Sequence, residues 1–242
     1  MLRFSDARNF GRTLTGLLLF AGPALFLIAT VIQPDTDHDN KLRELNAIAA
    51  HKGMYLFSGI LFLIAGLLIV ALGPGLMRLF RGPQGVTAGQ VAGALLMIGG
   101  TVTCGWYALG AVEYEMVNHT GLDRQALATF LHKVNGGPSS ILPLVIVFMV
   151  GIVIGSIMLA VANWRTRVAP VWASVAIVVG GVLTAVGSGQ LISIIAQAVL
   201  LVGFGTIGAS VLSMSDEEWD SPRVRASEAK EAPATSAPAP AS

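Results

Sequence analysis

Six stretches of the chain run without Asp, Glu, Lys, Arg or His: residues 13–32, 53–77, 88–112, 139–163, 168–187 and 190–212. Each meets the requirement of about 20 apolar residues for a helix crossing a hydrocarbon core of about 30 Å. Backbone groups find no water inside a bilayer, so runs of this length are expected to be helices. The pattern therefore predicts an all-α, polytopic membrane helical bundle of six transmembrane helices. It divides into an N-terminus at 1–12, a transmembrane domain at 13–212 and a tail at 213–242 that begins with Asp216, Glu217, Glu218 and Asp220. The tail then turns rich in Ala, Pro, Ser and Glu and is expected to be disordered, because it has too little apolar surface to offset the entropy of ordering.

The polar breaks are unequal. Two long ones, between spans 1 and 2 and between spans 3 and 4, each predict a short amphipathic helix. In the first, Leu42, Leu45, Ile48 and Ala49 recur at helical spacing behind the possible caps Asp37, Asp39 and Asn40. In the second, Thr120 and Asp123 fit a capping box ahead of the apolar Leu122, Leu127, Phe130 and Leu131.

These two breaks are related. His38 and His51 lie thirteen residues apart, as do His119 and His132, and Lys52 and Lys133 follow. A shift of 81 positions superposes both pairs together with Arg43 on Arg124, Ala47 on Ala128 and Ser58 on Ser139. A direct repeat of this kind predicts a tandem duplicated helix-loop-helix unit, with copies at 13–77 and 88–163 and a final hairpin at 168–212. Both copies start on one side, so a pseudo-axis along the membrane normal would relate them.

Composition changes the picture only in orientation. Of 242 residues, 54% are hydrophobic and 12% charged, against about a quarter charged in soluble domains. Arg3, Arg8 and Arg12 precede span 1, Arg78 and Arg81 follow span 2, and Arg165 and Arg167 follow span 4. Basic residues in short loops stay cytoplasmic, so both termini are expected in the cytoplasm, with the chain multi-pass in the plasma membrane and every histidine outside. Span 1 is read as a retained helix rather than a secretory signal, because its apolar run is long and no A-x-A site follows. A net charge of +1 suggests no nucleic-acid partner.

Candidate chemistry centres on the histidines. By the repeat, His51 and His132 would sit at similar depth and face each other across the pseudo-axis. Two neutral imidazoles so placed are candidate axial ligands of a haem b iron, with Lys52 and Lys133 near its propionates. As an alternative, His38 and His119, with Asp37, Asp39, Glu113 or Glu115, are candidate ligands of a divalent metal. Against both stands the plainer reading that each His-Lys pair anchors a helix end at the headgroup layer.

No catalytic residue is identified, since no nucleophile stands at a recognisable spacing from a base. Cys104 is a lone thiol, which precludes an intrachain disulfide. Gly203, Gly205 and Gly208 spell G-x-G-x-x-G inside span 6, where no strand precedes them, so close helix approach is the better reading. Gly89 with Gly93, and Gly151 with Gly155, suggest the same. Asn118, His119 and Thr120 form a glycosylation sequon. Ionisable residues are missing from all six spans, which argues against proton pumping or ion coupling.

The stretch AHKGMYLFSGILFLIAGLLIVALGPGLMRLFRG after the loop helix KLRELNAIA resembles a pattern common in actinobacterial-type six-helix integral membrane proteins. What the resemblance implies is a bacterial six-helix protein without an established activity. The leading expectation is a non-catalytic membrane protein whose duplicated extracytoplasmic cap contacts a membrane partner or a small ligand. Its partners would be membrane lipids and a membrane protein or a second copy. The alternatives are the haem or metal protein using His51 and His132, and a facilitator of an apolar or lipid-like substrate.

Overall fold

A computed structural model describes residues 6–35, 40–119, 121, 123–136, 142–187 and 189–220. Among them are nine helices and no strand: α1 (Ala7–Ile32), α2 (Lys41–Ala50), α3 (Lys52–Leu79), α4 (Val86–Asn118), α5 (Arg124–Gly136), α6 (Leu142–Thr166), α7 (Val171–Val186), α8 (Gln190–Ser213) and α9 (Asp216–Asp220). Helix α6 contains a π-helical turn at Val150–Ile154. Five helices, α1, α3, α4, α6 and α8, are long and apolar enough to cross a membrane. Helix α7, expected as a span over 168–187, has 16 residues, or about 24 Å at 1.5 Å per residue.

These six apolar helices form a closed ring in chain order. α1 packs on α3, α3 on α4, α4 on α6, α6 on α7, α7 on α8, and α8 returns to α1. Small residues set the closest approaches. On α3 and α4, Gly66 faces Gly100 and Gly73 faces Gly93, so near that a Cβ on Gly100 would lie 2.7 Å from the Gly66 carbonyl oxygen and one on Gly93 2.7 Å from that of Gly73. Both pairs repeat every seven residues, the period that keeps one seam facing its partner. Lipid tails are as apolar as leucine, so this van der Waals contact is what favours the helix pair over separate helices. The outward faces carry Phe20, Leu67 and Val202, each more than half exposed, a surface suited to hydrocarbon rather than water.

Polar clamps hold the two ends of the ring. At one end Asn163, fully buried, accepts from the Ala169 N–H at 2.8 Å and donates to Ser174 Oγ at 2.9 Å. The turn between α6 and α7 is thereby fixed, with Arg167 at φ 55 as its left-handed helix end. At the other end Gln190 Nε2 donates to the carbonyls of Gln33 at 2.7 Å and Thr30 at 3.3 Å, tying the start of α8 to the end of α1.

Several hydroxyls within the apolar helices are satisfied on their own helix. Thr101, Thr103, Thr184 and Ser193 each donate to the carbonyl four residues earlier on their own helix. Such back-bonding satisfies the hydroxyl without a second helix.

The tail also departs from expectation. Residues 213–220, assigned above to a disordered segment, are ordered: Ser215 and Glu218 form a capping box, with the Ser215 N–H on Glu218 Oε2 at 2.8 Å and the Glu218 N–H on Ser215 Oγ at 3.1 Å. The box starts α9, which docks against α1 with Trp219 only 3% exposed. Burial of one large aromatic and pairing of its acids offset the ordering entropy that composition alone predicts to win. Residues 221–242 lie outside the described residues.

Candidate functional site at the capped end

Helices α2 and α5 do not lie separately on a surface. They pack on each other and on the end of α4, through Leu45, Ile48, Val117, Ala128 and Leu131. Arg124 also donates to Asn46 Oδ1 at 3.2 Å. Asn40 caps α2 by accepting from the Arg43 N–H, and Asp123 caps α5 by accepting from the Gln125 N–H. Asp37, Asp39, Thr120 and Leu122, also singled out in sequence, lie outside the described residues. Phe130 is 56% exposed rather than part of the apolar face.

Beneath α2 is a cavity of about 600 Å³ bounded by α1, α2, α3, α4 and α6. Its upper wall is polar. Lys41 pairs with Glu44, whose side chain is buried, and the Tyr55 hydroxyl donates to Glu113 Oε2 at 2.9 Å. Its side walls are aromatic, from Trp106, Tyr107 and Tyr114 of α4. The floor is apolar: Val145 and Phe148 of α6 join Phe26 and Phe62, whose rings meet edge to face at 5.6 Å.

Two glycines leave room for the facing rings. A Cβ on Gly59 would come 3.1 Å from the Tyr107 ring, and one on Gly110 would come 3.1 Å from the Tyr55 hydroxyl. Gly110 and Glu113 are three apart on α4, hence on one face. The Tyr55 hydroxyl thus lies over the glycine and reaches the carboxylate.

The histidines are arranged differently from this cavity, and none of the three described ones lines it. His51 is the exposed one-residue break between α2 and α3, His119 the exposed end of α4, and His132 an exposed position within α5. The 81-residue shift places the start of α3 on residue 133, inside α5: His51 immediately precedes α3, whereas His132 lies within α5, ten positions before Leu142. His38 lies outside the described residues. Among the described residues no group of three or more His, Cys, Asp or Glu converges as a metal site. Lys52 donates to Asn118 Oδ1 at 3.0 Å, linking α3 to the end of α4.

At the opposite end is a second charged cluster, built from residues that the chain separates widely. Asp220 of α9 receives Arg78 Nη2 at 2.6 Å, Arg8 Nε at 3.0 Å and Arg81 Nη2 at 3.5 Å, and Arg12 Nε stands 3.0 Å from Asp216. Arg12 also donates to the Leu212 and Met214 carbonyls, and the Arg78 guanidinium lies 5.9 Å from the Trp219 ring centroid. The hydrogen bond from Arg78, then the charges of Arg78, Arg8 and Arg81, hold the Asp220 carboxyl below its ordinary range, against an opposing desolvation.

A depressed folded-state pKa stabilises fully above the ordinary carboxylate value and is lost as pH falls through the folded one. Acidification below about pH 4 is therefore expected to loosen the docking of α9 without releasing it, since exposed ion pairs contribute little, followed as a small change of Trp219 emission in a chain with Trp106, Trp164 and Trp172 replaced by Phe. The same emission change should occur at neutral pH in Asp220→Asn. An Asp220→Asn chain that keeps the native emission at neutral pH would discount this carboxylate.

No protein family, curated protein or solved structure matches the chain.

Proposed function

We propose that this chain is a non-catalytic integral membrane protein whose capped, extracytoplasmic cavity binds a small amphipathic ligand. The observation that carries the reading is the cavity under α2. Its volume of about 600 Å³ falls within the range of about 300–1,000 Å³ typical of small-molecule sites. An apolar floor beneath a polar rim suits a ligand with an apolar body and a hydrogen-bonding head. The carboxylates and Lys41 lie at one end, so the head would be oriented toward the cap.

In this reading the chain crosses the plasma membrane six times, with α7 the fifth span in chain order. Apolar residues 168–170 extend the apolar run ahead of α7, with Val168 and Ala169 buried in the core. Arg8, Arg12, Arg78 and Arg81 gather at the end opposite the cap, which supports cytoplasmic termini by the rule that basic loops are retained inside. A duplicated ancestor accounts for two cap helices that pack as a pair.

The test is photo-crosslinking in nanodiscs with a neutral amphiphile bearing a diazirine. Labels are expected on residues 55–62 of α3 and 106–114 of α4, and should be lost in Gly110→Phe, which fills the cavity. Labelling confined to outward positions such as Leu67 and Val91, unchanged in that variant, would overturn the proposal.

A further inference from the structure

A second hollow, a groove of about 400 Å³, runs between the end of α6 and the start of α7. It opens outward, since Val175 and Val179 in its wall are exposed. Ala160 and Val161 complete the apolar lining from α6, and buried Ser174 ties the two helices by accepting from Asn163 at 2.9 Å. Trp164 and Arg165 stand at its mouth. The α6–α7 turn lies against Gly85 of the α3–α4 turn, through Thr166, and so belongs to the end opposite the cap.

Charge at that end is unequally matched. Arg8, Arg12, Arg78 and Arg81 have the acids of α9, whereas Arg165 and Arg167 are exposed and enter no ion pair among the described residues. Nor can their own neighbours supply an acid. No Asp or Glu occurs in the chain between Asp123 and Asp216, so α6, α7 and α8 are without one. Two free guanidiniums above an apolar groove complement an anion that carries an apolar chain, and basic pockets between helices at a membrane surface bind anionic lipid heads in this way.

Indoles mark the same level. Trp164 and Trp172 are each half exposed, and Trp172 shares a face of α7 with Val175 and Val179 at helical spacing. Such residues favour the headgroup layer. A second copy seated symmetrically on this groove would bring Arg165 and Arg167 against their own counterparts, a like-charge contact that disfavours it.

We infer that the α6–α7 groove binds an anionic glycerophospholipid, its phosphodiester at Arg165 and Arg167 and an acyl chain along Val161, Val175 and Val179. This site is separate from the capped cavity and shares with the reading above only the placement of α6 and α7 in the membrane.

The test is photo-crosslinking of the full chain in phosphatidylcholine nanodiscs that contain, as a minor component, phosphatidylglycerol or phosphatidylcholine with a diazirine in its acyl chain. At residues 160–165 and 174–179 the phosphatidylglycerol label should exceed the phosphatidylcholine label by at least about fivefold, corresponding to about 1 kcal/mol. At Phe20 and Leu67, outward positions elsewhere on the ring, the two should label alike. Arg165→Gln combined with Arg167→Gln should abolish the preference while leaving the phosphatidylcholine label in place. Val179→Phe, at an exposed position in the groove wall, should reduce the label from both lipids there.

Equal labelling of the groove by the two lipids overturns the anionic assignment. A preference that survives in the double glutamine variant overturns it too, because the arginines then play no part. A groove without label overturns lipid binding altogether, and a dimer on size-exclusion chromatography would then identify a second copy as the occupant. None of these outcomes touches the capped cavity, whose label falls on residues 55–62 and 106–114.

Discussion

Replacing Gly100 with leucine is expected to lower the melting temperature of the detergent-solubilised protein by about 10 °C, from a loss of about 3 kcal/mol spread over a domain of this size. The cause is the seam between α3 and α4. At Gly100 even a Cβ would be 2.7 Å from the Gly66 carbonyl oxygen and 3.1 Å from the Val70 backbone nitrogen. Backbone cannot rotate away as a side-chain tip can, so the helices must separate. Separation also opens the Gly73–Gly93 contact, since the two pairs lie on the same seam. The closed ring gives α3 no alternative face, because α1 packs on its other side.

Gly105→Leu is the matched control. It lies on the same helix, five residues on, and a Cβ there meets nothing within 4 Å. Removing a mid-helix glycine at an open position is worth roughly 0.5–1 kcal/mol in favour of the helix, so this variant should melt at or above the parent temperature. Thermal denaturation followed by size-exclusion chromatography distinguishes the two. If Gly100→Leu and Gly105→Leu melt alike, close backbone approach is not what joins α3 to α4.

Much of this architecture is legible in the chain, because a bilayer imposes length. Uninterrupted apolar runs become long helices whatever their neighbours. Five of the runs appear as helices long enough to span, and the sixth, 168–187, yields the 16-residue α7 because Arg167, in a left-handed turn, and Pro170 delay its start. The two loop helices were readable from their apolar spacing and caps. Their mutual packing was not, since periodicity reports that a face is apolar and not what covers it.

Glycine pairs were read by spacing within one helix, Gly89 with Gly93 and Gly151 with Gly155. Gly151 does meet backbone, a Cβ on it coming 2.5 Å from the Gly99 nitrogen of α4, and Gly93 belongs to a further seam that joins Gly66 and Gly73 to Gly100 and Gly93 across α3 and α4. A seven-residue recurrence in both spans was the available signal. Gly203 and Gly208 do allow close approach, to the Ala173 and Gly16 carbonyls respectively, whereas Gly205 meets only the Phe20 ring. The cavity was the least legible feature. Its residues come from five helices, and only Glu113 among them had drawn attention as chemistry. Histidines attract the functional reading because they are rare, whereas Tyr55, Trp106 and Tyr107, which line the chamber, sit in apolar runs where an aromatic draws no notice.

Trp219→Ala is expected to release α9 from the ring, with amide hydrogen exchange over residues 215–220 accelerating by about 100-fold or more. Truncating a buried Trp costs about 3–5 kcal/mol, and each 1.4 kcal/mol is a factor of ten. A five-residue helix has no means of surviving on its own, since isolated helices shorter than about 12–15 residues are marginal in water. Its stability is therefore tertiary and concentrated in one side chain. The indole packs in the core that also holds Leu79, Phe80 and Met214, beneath the Arg78 guanidinium. Without it the acids of α9 and the four arginines face one another as a solvated pair of charge clusters, and exposed ion pairs contribute only about 0–1 kcal/mol each. The loss should be local: protection in α3 and α8 should persist, because the ring closes through α1 and α8 without α9. Unchanged exchange at 215–220 would show that the arginine–carboxylate network holds the segment unaided. Equal acceleration throughout α1 and α3 would instead make Trp219 a keystone of the bundle rather than the pin of its C-terminal latch.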